Sequence, residues 1–263
     1  MLVRLMPTSP SQTPVVYLHG WLGSASDWDA VQPLLPGLAL ELPGHGAARH
    51  LPEAAYSLAG AADAVVDAVV DAVERAAADH PHVGRPVLVG YSMGGRVAMT
   101  AALRHPGRFR ALVLESASPG LRSDAERAAR RAMDEARAAH VERDLAGFLA
   151  GWYRLPLFAS LATVPGRVDA TIAERLRGDP PELARALRGL TVARQPSYWD
   201  RLGDLPPTLA LAGRLDAKYV GIVNAMAAAP SVTARLVPEA GHSVHRERPA
   251  AFAQTVRDWI AAL

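Results

Sequence analysis

Short runs of apolar residues alternate with helical patterns along most of the chain. These runs are apolar on both faces and are bounded by proline or glycine, which is typical of buried parallel strands. The predicted strands are Val15–Leu18, Leu38–Leu42, Val87–Tyr91, Ala111–Glu115, Thr208–Ala212 and Val232–Val237. Strands that alternate with helices predict an α/β fold with a mostly parallel, doubly wound sheet.

Three stretches between and after these runs have the spacing of amphipathic helices. Ser57 is placed to cap the first, which runs to about residue 78 and carries a buried stripe of valines. The second follows Ser92 and ends at Arg104, just before a His-Pro-Gly sequence. The last covers about residues 249–262 and closes the chain.

The alternation stops between about Pro119 and Asp200. This segment contains helical patterns and many arginines but no convincing strand. In a doubly wound sheet, an insertion after the carboxyl end of a strand lies above the crevice where ligands bind. We therefore predict an α/β core formed by residues 1–118 and 201–263, with residues 119–200 as a helical lid and not an independent domain.

The composition is that of a globular protein. Half of the 263 residues are hydrophobic, and no apolar run reaches the roughly 20 residues that a membrane helix needs. Residues 1–14 contain no apolar signal core, which favours a cytoplasmic location. The net charge of +2 does not support nucleic-acid binding, and the lack of cysteine excludes disulfides and thiolate chemistry. No feature of the sequence predicts an oligomeric state.

The sequence Gly90-Tyr91-Ser92-Met93-Gly94 matches the pattern Gly-x-Ser-x-Gly between a predicted strand and a predicted helix. Such a turn is sharp and strained, and the flanking glycines remove side chains that would clash. Ser92 is therefore expected to project from the carboxyl edge of the sheet, at a helix N-terminus that favours developing negative charge. This context is typical of the α/β-hydrolase fold.

A serine nucleophile needs a histidine base, and the base needs an acid that orients it. In this fold the acid and then the histidine follow the serine along the chain. His242 follows the last predicted strand and is the favoured base, with His245 as the alternative. Asp216 follows the preceding strand and is the favoured acid, with Glu115 at the end of an earlier strand as the alternative.

The loop His19-Gly20-Trp21 directly follows the first predicted strand and is expected to face the nucleophile. The backbone N–H groups of Trp21 and Met93 are predicted to form an oxyanion hole. His19 itself and the turn-rich segment 41–46 are expected to be structural. The histidine spacings do not match a metal site and no Gly-x-Gly-x-x-Gly follows a strand, so we predict neither a metal nor a nucleotide cofactor.

Five longer segments narrow the function further. They are VGYSMGGRVAM (89–99), SPGL (118–121), WYRLPLFASL (152–161), GRLDAKY (213–219) and AGHSVHRERP (240–249). Through them the chain resembles, from His19 to Pro249, the 2-succinyl-6-hydroxy-2,4-cyclohexadiene-1-carboxylate synthases of menaquinone biosynthesis. Lys218, the only lysine, is part of this resemblance. Ser118 departs from it, because some members have histidine before Pro-Gly-Leu.

The resemblance implies a lyase that eliminates pyruvate from an enolpyruvyl-cyclohexene substrate and uses no cofactor. His242, oriented by Asp216, would deprotonate Ser92. The serine oxygen would then remove a ring proton beside the succinyl carbonyl instead of forming an acyl intermediate. The amides of Trp21 and Met93 would hold the enolate oxygen.

The resemblance also implies a small polycarboxylate as substrate. Arginine suits such a ligand, because its planar fork binds a carboxylate bidentately and keeps its charge. The substrate-binding residues expected from the resemblance are Arg96, Arg130, Arg127, Tyr91, Trp152 and Tyr153. Arg131 is expected on a solvated helix face, and Phe158 in the core.

Two other functions stay open from the sequence. A serine hydrolase, such as an esterase or a carbon–carbon bond hydrolase acting on an anionic substrate, would use the same three residues with water as the final acceptor. A non-catalytic receptor with this fold is disfavoured by the complete set of predicted triad and oxyanion residues.

Overall fold

The computed structural model describes residues 14–79 and 84–263. The residues that the sequence analysis examined for a signal core therefore lie, up to residue 13, outside the described residues. Within the described ranges one parallel sheet has the strand order β2-β1-β3-β4-β5-β6. The strands are β1 (Val15–Leu18), β2 (Leu38–Leu40), β3 (Val87–Tyr91), β4 (Ala111–Glu115), β5 (Thr208–Gly213) and β6 (Val232–Val237). The predicted parallel, doubly wound sheet is confirmed.

The predicted helices are present, together with two that the sequence analysis did not predict, at Ala217–Met226 and Val244–Glu247. The α-helices are α1 (Leu58–Asp79), α2 (Met93–Arg104), α3 (Asp124–Arg143), α4 (Leu145–Trp152), α5 (Arg167–Arg175), α6 (Pro180–Gly189), α7 (Ala217–Met226), α8 (Val244–Glu247) and α9 (Pro249–Ala261). Ser57 caps α1 as predicted, because its Oγ accepts a hydrogen bond from the Gly60 amide at 3.0 Å. No helix in the described ranges is both long and apolar enough to cross a membrane.

The sheet has an apolar core on each face. Successive side chains of a strand point to opposite faces, so Val16 and Leu18 of β1 pack with α1 and α2. Val15 and Tyr17 of the same strand pack on the other face with Trp28 and α9. Burial on both faces explains why the strands read as continuous apolar runs.

Strand β2 ends two residues earlier than predicted. The Leu42 amide donates to Nε2 of His19 at 3.0 Å, so the chain has already left the sheet at this residue. The buried His45 ring sits in the turn that follows, where its Nε2 accepts from the Leu22 amide at 3.2 Å. Burial, with His19 beside it, lowers the pKa of His45 to about 3. Both rings are therefore structural parts of the loops, as expected.

Residues 119–200, all of them described, contain helices and no strand. A third apolar cluster joins α3, α4 and α6 through side chains such as Phe148 and Leu187, and includes Leu22 from the loop after β1. Ser123 and Glu126 form a capping box at the start of α3. The helical segment thus has its own packing and also rests on the loop beside the sheet.

The close packing of α2 against β3 leads to a first prediction. A Cβ added at Gly90 would lie 2.5 Å from the backbone oxygen of Gly94, and backbone cannot move aside as a side chain can. We expect Gly90→Ala to lower the free energy of unfolding by about 1–3 kcal/mol, measured by denaturant titration.

The matched control is Gly151→Ala in α4, where an added Cβ meets nothing within 4 Å. Alanine is the better helix former, so stability there should stay the same or rise slightly. Equal stability of the two variants would show that α2 does not depend on this close approach.

Candidate active site

The turn between β3 and α2 holds Ser92 in a strained backbone conformation. Its φ is 50° and its ψ is −106°, a combination that residues other than glycine rarely adopt. The Ser92 amide donates to the carbonyl of Glu115 at 2.8 Å, which fixes the turn to the neighbouring strand. Only glycine fits at Gly94, because a Cβ there would lie 2.4 Å from the Leu18 carbonyl oxygen. Ser92 is thereby held at the carboxyl end of the sheet, where it lines a cavity.

Asp216 and His242 meet beside this cavity. Oδ2 of Asp216 lies 2.7 Å from Nδ1 of His242, and both side chains are buried. Oδ1 of Asp216 caps α7 by accepting from the Tyr219 amide at 3.2 Å. Each carboxylate oxygen thus has a fixed partner, and the carboxylate orients the ring with Nδ1 as the donor.

Ser92 and His242 line the same cavity. In the described structure no hydrogen bond joins Oγ of Ser92 to the His242 ring. Such bonds are often long before substrate binds and tighten in the reacting complex. The arrangement therefore places the base and the hydroxyl on the cavity wall and the acid behind the base, and the contact between Ser92 and His242 is left to form on binding.

The two alternative residues bind to each other instead. Nδ1 of His245 lies 2.9 Å from both carboxylate oxygens of Glu115, and the His245 amide donates to Oε1 at 3.1 Å. Both side chains are fully buried, and neither lines the cavity. The His245 ring stacks on Trp28 at 4.3 Å between centroids. Glu115 and His245 therefore support the loop that carries His242 from within the core. His242, which Asp216 holds, is the histidine that shares the cavity with Ser92.

The loop that carries His242 is fixed by several hydrogen bonds. The backbone amides on both sides of His242 donate to the buried carboxylate of Glu247 at 2.8 and 3.2 Å. The Tyr91 hydroxyl and Oγ of Ser243 are 2.6 Å apart. Burial raises the pKa of Tyr91 well above its usual value, so the phenol stays protonated. This contact joins the turn of Ser92 directly to the loop of His242.

The two predicted oxyanion N–H groups also belong to the cavity wall. Met93 is the first residue of α2, where helices leave N–H groups without an intrahelical partner. In the described structure neither the Met93 nor the Trp21 amide donates a hydrogen bond, and both residues line the cavity. The Trp21 ring is fixed by its Nε1, which donates to the Leu183 carbonyl at 3.0 Å. Both amides are thus available to a bound oxyanion.

The cavity has a volume of about 300 Å³, and much of its wall is cationic. The basic residues that line it are Arg96, Arg130, Arg137, Arg175, Lys218 and Arg246. Sequence reasoning selected Arg96 and Arg130 and missed three of the others. Arg137 lies two helical turns beyond Arg130, so the helical periodicity places it on the same face and could have predicted it. Arg175 and Arg246 reach the cavity only through the tertiary fold.

Arg175 and Arg246 are neutralised within the protein. Oδ1 of the buried Asp27 lies 2.7 Å from Arg175 and 2.6 Å from Arg246. Arg246 also pairs with Glu174 at 2.8 Å. Burial alone would raise the pKa of Asp27, but the two guanidinium groups lower it below its usual value. Two cations therefore face two carboxylates on this side of the cavity.

The opposite side keeps unbalanced positive charge. Arg130 and Arg137 share a single buried carboxylate, that of Asp134, at 2.7 and 2.9 Å. Arg96 is buried, donates to the Leu190 carbonyl and has no carboxylate partner in the described structure. Burial, with Arg130 nearby, lowers the pKa of Arg96 to about 10, so it stays charged near neutral pH. A buried guanidinium without a counterion is suited to binding an anion.

The structure does not bring Arg127, one of the predicted substrate-binding residues, to the cavity. Its guanidinium pairs with Asp124 at 2.6 Å and donates to the Leu121 carbonyl at 2.8 Å, so it folds back on the start of α3 and lines no part of the cavity. Local partners within six residues satisfy it before it can reach the cavity. Arg131 is exposed, as expected.

The expected aromatic residues do line the cavity. Trp152 packs edge-on against Trp21 at 5.4 Å between ring centroids. The Tyr153 hydroxyl accepts from Nε of Arg175 at 3.4 Å. Phe158 is buried, as expected for a core residue, but it also forms part of the wall and lies edge-on to His242 at 6.0 Å. Among the described residues no cluster of three or more His, Cys, Asp or Glu is placed to hold a metal ion.

A parallel sheet with a strained serine after its third strand, followed along the chain by aspartate and histidine, defines an α/β hydrolase. Residues 15–255 match the alpha/beta hydrolase family, and the chain belongs to this family. Among its relatives are 2-succinyl-6-hydroxy-2,4-cyclohexadiene-1-carboxylate synthases, so the resemblance found in the sequence is confirmed.

These relatives match nearly the whole chain. The synthase of Salmonella agona is 34% identical over 250 residues, covering 93% of this chain and 92% of the relative. That of Citrobacter koseri is 35% identical over 246 residues, covering 92% and 91%. The solved structure of MenH from S. aureus superposes with a TM-score of 0.85 at 29% identity, covering 95% of this chain and 94% of the other. A thermophilic esterase from Thermogutta terrifontis, solved with malate bound, gives 0.75 at 25% identity, with 95% and 90% covered.

The buried ion pairs of Asp27 lead to a second prediction. Asp27→Asn leaves Arg175 buried without its counterion, and we expect the free energy of unfolding at neutral pH to fall by about 3–5 kcal/mol. The pKa of Asp27 in the folded protein lies below the usual 3.8 of the unfolded chain. The stabilisation by its carboxylate is therefore complete above pH 3.8 and is lost as the pH falls from there through the lower, folded-state pKa. The difference between wild type and variant should therefore shrink below pH 3.8, as measured by urea titration at several pH values.

Asp124→Asn is the control, since Asp124 is 98% exposed and its pair with Arg127 lies on the surface. This variant should unfold almost as wild type does. A similar loss in both variants would contradict a special role for the buried pair.

Proposed function

We propose that the protein is a lyase that eliminates pyruvate from 2-succinyl-5-enolpyruvyl-6-hydroxy-3-cyclohexene-1-carboxylate. The product is 2-succinyl-6-hydroxy-2,4-cyclohexadiene-1-carboxylate, an intermediate of menaquinone biosynthesis. One observation carries the proposal: Ser92 and His242, the latter held by the buried Asp216, line a cavity together with cations that have no carboxylate of their own. The substrate brings three carboxylates, which is the complementary chemistry. The names of the synthase relatives support the same reaction.

The reaction is an elimination across the ring. A base removes the proton from ring carbon 2, beside the succinyl carbonyl, and the electrons form a double bond between carbons 2 and 3. The original double bond moves to carbons 4 and 5, and the bond from carbon 5 to the enolpyruvyl oxygen breaks. The departing enolpyruvate takes up a proton and becomes pyruvate. No water adds to the substrate, so Ser92 has to move a proton and need not form an acyl intermediate.

The three residues act in series on that proton. Asp216 holds the His242 ring with Nδ1 donating, which leaves Nε2 free to accept the Ser92 proton. The serine oxygen then removes the ring proton as the general base. The N-terminus of α2, at which Ser92 stands, favours negative charge on this oxygen.

The charge that develops on the substrate moves to the succinyl carbonyl. The amides of Trp21 and Met93, which have no acceptor in the described structure, donate to this oxygen as it becomes an enolate. Arg96 and Arg130 bind substrate carboxylate, since both line the cavity that Ser92 also lines. Arg127 has no part in this assignment.

The aromatic residues shape the remaining wall. We assign Tyr91, Trp152 and Tyr153 to contacts with the substrate, because all three line the cavity. We assign residues 119–200 to a lid over a core of residues 1–118 and 201–263, since this segment contributes Arg130 and Trp152 to the cavity wall. The cytoplasmic location and the absence of a nucleic-acid partner stay predictions from the sequence.

The direct test measures pyruvate release from freshly generated substrate, coupled to lactate dehydrogenase. We expect rapid release by the wild-type protein, and Ser92→Ala should reduce the rate by about 10³-fold or more, because the general base is removed. Release no faster than the spontaneous reaction would exclude this substrate. A serine hydrolase acting on anionic esters or diketones would then be the alternative to test with the same two proteins.

The choice of acid is tested by comparing two variants. Asp216→Asn allows His242 to settle in the wrong tautomer, and we expect kcat to fall by about 10³–10⁴-fold. Glu115→Gln weakens the buried contact with His245 and should lower the melting temperature, with kcat within about tenfold of wild type. Near-normal turnover of Asp216→Asn, with none left in Glu115→Gln, would reverse the assignment.

A further inference from the structure

A second chamber of about 340 Å³ adjoins the cavity described above. Its far wall is built from the start of the helical segment at Leu121, from Trp199 and from Ile222 of α7. The side chains that line both chambers are Ser92, Arg96, Arg130, Lys218 and Tyr219. The hydroxyl of Ser92 thus stands where two spaces meet, and cations mark the boundary between them.

Two of the three cations that line only the first chamber are already balanced. Arg175 and Arg246 face Asp27 and Glu174 at distances between 2.6 and 2.8 Å. A substrate carboxylate on that side competes with carboxylates of the protein. The charges of Arg175 and Arg246 are therefore already used in ion pairs that join the helical segment to the chain just after His242.

The cations at the boundary are not balanced. Asp134 is the single carboxylate for both Arg130 and Arg137. Arg96 and Lys218 have no carboxylate partner among the described residues. Four cations, those of Arg96, Arg130, Arg137 and Lys218, therefore share one carboxylate, and three positive charges remain without a counterion. All four except Arg137 line both chambers, so the boundary favours an anion.

Lys218 is in a setting that is unfavourable for a cation. It is the second residue of α7, and the positive end of a helix dipole disfavours an ammonium group. Lys218 keeps part of its surface exposed, but the cavity wall removes part of the water around it, which lowers its pKa, and the neighbouring Arg130 lowers this pKa further. Asp216, the nearest acid along the chain, already binds His242 and the Tyr219 amide. A bound carboxylate would supply negative charge beside Lys218. It would thus offset the helix dipole, the loss of water and the repulsion by Arg130.

We propose that Lys218, together with Arg130 and Arg96, forms a carboxylate subsite at the boundary and that the second chamber receives the enolpyruvyl arm of the substrate. The ligand class of this subsite is a small 2-oxo acid or its enol ether. This inference rests on the proposed lyase function, and it assigns the enolpyruvyl arm of the substrate to the second chamber.

The geometry of the reaction decides which arm this is. The proton leaves ring carbon 2 and the enolpyruvyl group leaves carbon 5, which lies directly across the ring. Trp21 and Met93 line only the first chamber, so the succinyl carbonyl that they bind points there. The group on the opposite ring atom then points away from them, toward Lys218 and the second chamber. After the carbon–oxygen bond breaks, pyruvate occupies this chamber and the larger product occupies the first.

The test measures pyruvate binding to the purified full-length protein by saturation-transfer NMR, with uncharged pyruvamide as the reference probe. We expect the wild type to bind pyruvate in preference to pyruvamide, and Lys218→Met to weaken pyruvate binding about tenfold or more, since a charge-assisted contact is lost. Lys218→Arg should restore most of the binding because it keeps the charge. Arg214→Met is the matched control, because Arg214 is exposed on the same loop and lines neither chamber.

A second variant tests the chamber without changing any charge. Ile222→Trp fills the space behind Lys218 and should also abolish pyruvate binding, with circular dichroism as the check on folding. With the full substrate, Lys218→Met should raise KM about tenfold and change kcat less, as expected when a binding contact is lost.

The subsite is excluded if the wild type binds pyruvate no better than pyruvamide, or if Lys218→Met binds pyruvate as the wild type does. An equal loss in Arg214→Met would also exclude it, because the effect would then come from net charge. Pyruvate binding does not require turnover. A protein that binds pyruvate through Lys218 but releases none from the enolpyruvyl substrate would keep the subsite and overturn the proposed reaction.

Discussion

The close approach of α2 to the ends of β1 and β3 is the constraint on which the site depends. Glycine at position 94 lets the helix start within contact of the Leu18 carbonyl, and the chain can reach that start only by bending sharply at Ser92. The same bend sets the direction of the serine hydroxyl and exposes the Met93 amide. The hydrogen bond between the side chains of Tyr91 and Ser243 then fixes the position of the loop that carries His242 relative to this turn. The strained turn at Ser92 is thus held in place by its neighbours, and it gives the serine the position that the reaction requires.

Much of the fold could be predicted because its signals are local. Strands buried on both faces appear as apolar runs, and the bounds of β1, β3, β4 and β6 agree with those runs. Ser92 has a motif, and the order of the chain points to Asp216 and His242. The end of β2 could not be predicted, because it depends on a hydrogen bond from Leu42 to a ring 23 residues earlier in the chain. Contacts of that kind leave no periodic trace in the sequence.

The polar wall of the cavity was harder to predict than the triad. Arg127 and Arg137 both lie on the inward-facing stripe of α3, so periodicity alone does not separate them. Arg127 meets Asp124 within one turn and folds back, whereas Arg137 reaches the cavity through a carboxylate that it shares. Arg175 is in the wall because Asp27, 148 residues earlier in the chain, binds it there. Which cation faces a cavity depends on where its counterion lies, and that is a property of the tertiary structure.

The division of labour between the sheet and the helical segment has an evolutionary consequence. The serine, the histidine and the orienting acid all stand on loops of the sheet, whereas Asp134 holds two arginines as one unit on α3. Selection can therefore exchange the charged unit for an apolar one without disturbing proton transfer. One scaffold can thus serve different reactions when the recognition part changes faster than the reactive part.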